Sequence, residues 1–221
     1  MATIDLEVPY DDRNLAKSLG ARWNPQRKVW YIDDQRDLAP FQQWLPQPTR
    51  INHRSVGYFL LISHRLCWKC QSDTSVYGFA LPSGHEALEY IDDESVSGED
   101  ELGSDDDGTP TWMRRENPEV ILYASSICEG ALASMAGLTR RYMKDFSATT
   151  RTRYYMNHCE HCDAKLGDFD TIEEFDAPLT PLYAPTPDRL RIIPVDAHFE
   201  SESDTTPLPF ASSDSPVSLA R

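Results

Sequence analysis

The chain has no apolar run near the roughly 18 residues that a membrane-crossing helix needs. Its longest candidate, Val56 to Ile62, is interrupted by Gly57 and flanked by Arg54, His64 and Arg65. No membrane association is expected. The segment Met1–Asp5 lacks the basic start and apolar stretch of a secretory signal. The expected compartment is therefore the cytoplasm, where thiols stay reduced. Catalytic signatures are missing too: there is no Gly-rich phosphate loop, no Gly-x-Ser-x-Gly and no His-Glu-x-x-His. The sequence reads as non-enzymatic, with no small-molecule substrate. No internal repeat is visible.

Positive charge is scarce. Lys and Arg number 21 against 36 Asp and Glu, a net charge of -15, which opposes a phosphate backbone at long range. The imbalance is local. Residues 1–50 carry seven basic and seven acidic side chains, whereas Glu86 to Asp107 carries eleven carboxylates and no Lys or Arg. Like charges at that density extend a chain, so a disordered acidic loop is expected at about 86–109. It is a solvated linker or a lure for a basic partner. Residues 179–221 are rich in Pro, Ser, Asp and Thr and read as a largely disordered tail with one strand at Arg189 to Val195.

At 40% hydrophobic residues, the remaining chain has enough apolar content for folded cores. In residues 1–46, Ile4, Leu6 and Val8 alternate with polar residues as in a strand. Asp11 or Asp12 then caps a short helix with Leu15, Ala16 and Leu19 on its inner face and Gly20 at its end. A hairpin follows around Asn24-Pro25-Gln26-Arg27, with Trp23 and Trp30 read as core residues. Leu38, Phe41, Trp44 and Leu45 recur at helical spacing before Pro46. The motifs Val8-Pro9-Tyr10, Leu19-Gly20-Ala21-Arg22-Trp23-Asn24, Lys28-x-Trp30-Tyr31 and Leu38-x-x-Phe41-x-x-Trp44-Leu45-Pro46 resemble a small bacterial domain of unknown function. That domain is found beside conjugative-plasmid primase-like and topoisomerase-like modules. The resemblance implies a fold and a neighbourhood of mobile DNA, and no activity.

Residues 51–178 read as a second unit. Val56 to Ile62, Val76 to Leu81, Val120 to Ile127 and Arg151 to Met156 are strand-like, and Ala131 to Phe146 is helix-like. The unit contains Cys67-Trp68-Lys69-Cys70 and Cys159-Glu160-His161-Cys162. Two residues between cysteines let one tight turn present both sulfurs to a single ion, and four thiolates suit tetrahedral zinc. A disulfide conflicts with a reducing compartment. A thioredoxin-like site needs one such motif in a βαβ setting, and catalytic zinc usually keeps a water with His or Glu among its ligands. His158 and His161 adjoin the second pair and leave a Cys/His ligand exchange open. Otherwise they are ordinary surface residues. Cys128 reads as a small buried hydrophobe. The fold expectation is thus α+β: a strand–helix–hairpin–helix module, then a zinc ribbon with an inserted α/β subdomain of 88 residues (71 to 158).

Two kinds of partner fit. A protein partner, basic in character, would meet the zinc-stabilised surface or the acidic stretch. Nucleic acid would meet basic residues interleaved with aromatics, at Arg22, Arg27 and Lys28 and at Arg140, Arg141, Lys144, Arg151 and Arg153.

Overall fold

The computed structural model describes residues 3–27, 29–45, 50–91, 109–182 and 189–208. The chain divides into two compact units, Met1–Thr49 with Ala148–Arg153, and Arg50–Ser147 with Tyr154–Arg221. Strands dominate both.

In the first unit, β1 (Thr3–Leu6), α1 (Arg13–Ser18), β2 (Arg22–Asn24) and β3 (Val29–Asp33) precede a 3-10 helix at Ala39–Trp44. β3 is central, antiparallel to β1 and β2. Alternation along the strands turns Leu6 and Ile32 inward onto Ala16, Phe41 and Trp44. Gly20, at φ +96, supplies the left-handed residue that ends α1. The closing segment is a 3-10 helix, whose three-residue turn stacks Phe41 and Trp44 on one face. Asp12 makes no side-chain cap to α1; its carboxylate accepts the Trp44 indole N–H at 3.0 Å. Nor is Trp23 a core residue. It packs on half-buried Trp30 with ring centroids 5.7 Å apart, yet is 46% exposed. Lys28 lies outside the described residues.

The second unit contains β4 (His53–Ser55), β5 (Tyr58–Leu66), β6 (Asp73–Leu81), β7 (Glu86–Ile91), β8 (Thr109–Arg114), β9 (Glu119–Ile127), α2 (Glu129–Ala136), β10 (Tyr142–Phe146), β11 (Arg153–His158), β12 (Lys165–Leu166), β13 (Leu190–Val195) and β14 (Phe199–Pro207). Eight strands form one sheet in the order β13-β5-β6-β9-β14-β4-β7-β8, and β10-β11-β12 form a second. β5 and β6 are apolar on both faces because both are covered. Phe59, Leu61, Val76 and Ala80 join Leu166, Ile172 and Leu179 in one core. Tyr58, Leu60, Tyr77 and Phe79 join Ala131, Met135 and Phe199 in the other. Gly78 lets Leu179 approach: a Cβ there would meet its Cδ1 at 3.0 Å.

Four expectations are corrected. The residues between the cysteine pairs do not form an inserted subdomain, since β6 pairs with β5 along eight residues and β9 continues the same sheet. Glu86–Ile91 and Thr109 are not loop but antiparallel strand, in register from Glu86↔Arg114 to Ile91↔Thr109. Their acids are matched by cations, Glu86 by Arg54 at 2.6 Å and Glu89 by Arg115 at 2.7 Å. Residues 92–108 of that expected loop lie outside the described residues. The tail supplies the expected strand, β13 against β5, but also β14 between β9 and β4, where disorder was expected; of the rest, 183–188 and 209–221 are not described. The expected helix Ala131 to Phe146 ends at Ala136, and Tyr142–Phe146 is strand. Cys128 is half-buried at the start of α2, its thiol 3.7 Å from the His198 carbonyl.

Candidate metal centre

Each cysteine pair occupies the turn of a β-hairpin, Cys67–Cys70 between β5 and β6 and Cys159–Cys162 between β11 and β12. The two turns are built alike. Cys67 N–H donates to Ser72 O and Gln71 N–H to Cys67 O; Cys159 N–H donates to Ala164 O and Asp163 N–H to Cys159 O. The residue after each second cysteine is left-handed, Gln71 at φ 58 and Asp163 at φ 56. That conformation turns the chain back into its strand.

The same geometry aims backbone N–H groups at sulfur. Lys69 donates to Cys67 Sγ and His161 to Cys159 Sγ, each at 3.4 Å. The amides of Ser72 and Ala164 bond Cys70 and Cys162 in the same way. Every sulfur thus receives the amide two residues on, an arrangement that favours thiolate.

All four sulfurs lie within 4.8 Å of one another. Across the two turns, Cys67 to Cys162 and Cys70 to Cys159 are each 3.7 Å. A tetrahedral zinc with Zn–S bonds of about 2.3 Å has sulfur–sulfur edges of about 3.8 Å, whereas a disulfide needs about 2.05 Å. The four cysteines are free thiols in a metal-sized cage. The Ser72 amide holds the Cys70 thiol down to about 6. At Cys162 the Ala164 amide also favours the thiolate, but burial and the neighbouring sulfurs outweigh it and push the thiol up to about 12. One negative charge in the cage resists a second, and a bound divalent cation removes that resistance.

Neither histidine shares the cage. His158 is buried rather than on the surface, with Nδ1 3.3 Å from Arg141 O and Nε2 3.2 Å from Asp145 Oδ2. His161 Nε2 contacts the Asp73 carbonyl at 2.9 Å. The described basic residues singled out from sequence are divided between the two units. Arg22 faces Asp33 at 3.8 Å and Arg27 pairs with Asp5 in the first unit, with Arg151 3.8 Å from Asp11. In the second unit Arg141 pairs with Asp163, beside the second turn. Arg140 and Lys144 are exposed, and Arg153 is half-buried.

Sequence reasoning missed Asp168. This buried carboxylate accepts the N–H of Tyr123 at 2.6 Å. Tyr123 sits at φ 51 where β9 slips register against β14. Burial pushes the Asp168 carboxyl up to about 7; the Tyr123 amide opposes this and Glu173 adds to it. The only signal was the Gly167-Asp168 dipeptide after β12.

Among the described residues, no helix is long and apolar enough to cross a membrane. No solved structure matches the chain. The chain is similar to two proteins named DNA primase TraC from Escherichia coli, 49% identical over 39 residues and 44% identical over 41. These stretches are 18% and 19% of this chain but 3% and 4% of the primases, so the chain spans a small fraction of their length. Residues 3–46, which make up most of the first unit, match the family described as a domain of unknown function, DUF5710.

Proposed function

We propose that the chain is a non-catalytic zinc protein whose metal-organised surface binds a protein partner. The carrying observation is the matched pair of hairpin turns that bring four amide-bonded sulfurs to tetrahedral spacing. Cys67, Cys70, Cys159 and Cys162 would hold the ion in a zinc-ribbon manner. Zinc there has no open position for substrate, so its contribution is structural. It ties the β5–β6 hairpin to the β11–β12 hairpin across 88 residues of chain, a closure worth on the order of several kcal/mol by analogy with a cross-link. The net charge of -15 favours a basic partner, as an inhibitor or adaptor would meet. Reduced thiols are what a cytoplasmic setting maintains. Elemental analysis of purified protein tests the core of this reading: one zinc per chain is expected, and a metal-free protein of equal stability would end it.

A second reading is favoured by Trp23, which leaves an indole face open on the hairpin beside Trp30 and Arg22. Exposed aromatics next to cations stack single-stranded bases without sequence preference. The similarity to segments of DNA primases supports an accessory role in nucleic-acid processing.

A further inference from the structure

Strand β6 has one fully paired edge. It pairs with β5 from Leu66↔Asp73 to Phe59↔Ala80, whereas β9 meets its other edge at Ala80 and Leu81 and itself runs along β14. In an antiparallel pair every second residue turns its N–H and C=O away from the partner strand. Asp73, Ser75 and Tyr77 lie at that spacing on β6, and a backbone group left unmet beside a core is costly.

Side chains from β11 and the second cysteine turn fill that edge. Asn157, buried on β11, treats Tyr77 as a neighbouring strand would. Its Oδ1 accepts the Tyr77 N–H and its Nδ2 donates to the Tyr77 carbonyl, each at 2.8 Å. Glu160 Oε2 accepts from the Ser75 N–H and from the Ser75 hydroxyl, both at 3.2 Å, and the Glu160 N–H donates to Thr74 Oγ1 at 3.1 Å. His161 Nε2 donates to the Asp73 carbonyl at 2.9 Å, since a carbonyl only accepts. As the chain climbs from 157 to 161, its partners descend β6 from 77 to 73, so these contacts fix one register. The first turn reciprocates, with the Trp68 indole N–H donating to the Lys165 carbonyl on β12 at 2.9 Å. None of these bonds uses a sulfur. β11 and β12 pair at two positions, Asn157↔Leu166 and His158↔Lys165, and so short a ladder needs outside support to hold its turn in place.

We propose that Asn157, Glu160 and His161 are positioning residues that hold the two cysteine turns at ligand spacing before an ion arrives. The proposal rests on the reading of the cage as a metal site. A turn free to swing would have to be gathered at each binding event, and apparent affinity would fall with the fraction of time the cage is closed. Here the cage is closed in advance. The protein therefore loses and regains its ion without unfolding, unlike small metal domains whose folding is the binding event. Stability falls when the ion leaves, yet below the lowered melting temperature the sulfurs stay gathered.

The test uses the full chain, reduced, chelated and held below its melting temperature. The amides of Ser75 and Tyr77 should remain protected from hydrogen exchange in this metal-free protein. In metal-free Glu160→Ala the Ser75 amide should exchange at least about tenfold faster, while amides of β5 hold. Zinc titrated against a chromophoric chelator should bind Glu160→Ala about tenfold more weakly than wild type. Glu160→Gln, whose amide oxygen still accepts from Ser75, should recover most of that loss. A contact that only stabilises the fold would lower the melting temperatures of both forms equally and leave affinity unchanged. Unprotected Ser75 and Tyr77 amides in the metal-free wild type, or equal affinities for Glu160→Ala and wild type, overturn the proposal. A wild type that binds no zinc although both amides are protected would instead sink the metal reading, and this proposal with it.

Discussion

Cys67 Sγ and Cys162 Sγ, 95 residues apart in sequence, lie 3.7 Å from each other, each the donor of a different hairpin turn. That contact closes a long loop in the second unit and sits against the core formed by Leu61, Leu166 and Ile172. Removing the ion proposed for this cage should therefore unsettle the core as well as the turns. Chelation, or Cys67→Ser, should lower the melting temperature markedly and release one zinc per chain. His158→Ala, whose ring faces Asp145 and Arg141 instead, should leave zinc stoichiometry unchanged.

Phe199 is fully buried in β14, with its ring 5.4 Å from both Tyr58 and Phe79. Phe199→Ala should cost about 3–5 kcal/mol in urea unfolding. A truncation ending before Phe199 should not fold. A stable truncated protein would show that β14 is dispensable to the sheet.

Asp168 makes a pH signature. Its carboxyl is raised from about 3.8 to about 7 in the fold, so the unfolded chain ionises first as pH rises. Its contribution to stability is complete below about pH 4, falls between about 4 and 7, and is flat above. Wild type should therefore lose on the order of 2 kcal/mol relative to Asp168→Asn between pH 5 and 7.5. Parallel denaturation curves for the two proteins would refute the buried charge.

Trp23 decides the nucleic-acid reading. If a fluorescent oligothymidine binds at low salt, Trp23→Ala should weaken it about tenfold, since a stacked base contributes about 1–3 kcal/mol. Arg22→Ala should flatten the salt dependence by roughly one phosphate contact. Absence of binding at low salt removes this reading.

The cysteine turns were legible in the sequence because they are local. Two intervening residues suffice to place both sulfurs on one side of a turn, wherever that turn sits. Likewise the β5 and β6 strands announced themselves by apolar content that only a doubly covered strand needs. β14 did not. Its run Phe199-Glu-Ser-Glu-Ser-Asp looks like disorder by composition, yet Ser201 and Ser203 face inward, where they bond each other and, through Ser203, Asn52 and His53. Small hydroxyls can line a core only when distant residues supply partners, and composition does not reveal partners. Trp23 illustrates the converse: an indole reads as core until the packing shows too few neighbours to cover it. The metal cage itself depended on both levels. Local spacing made each pair of ligands, and only the pairing of strands brought residues 67–70 and 159–162 to one point.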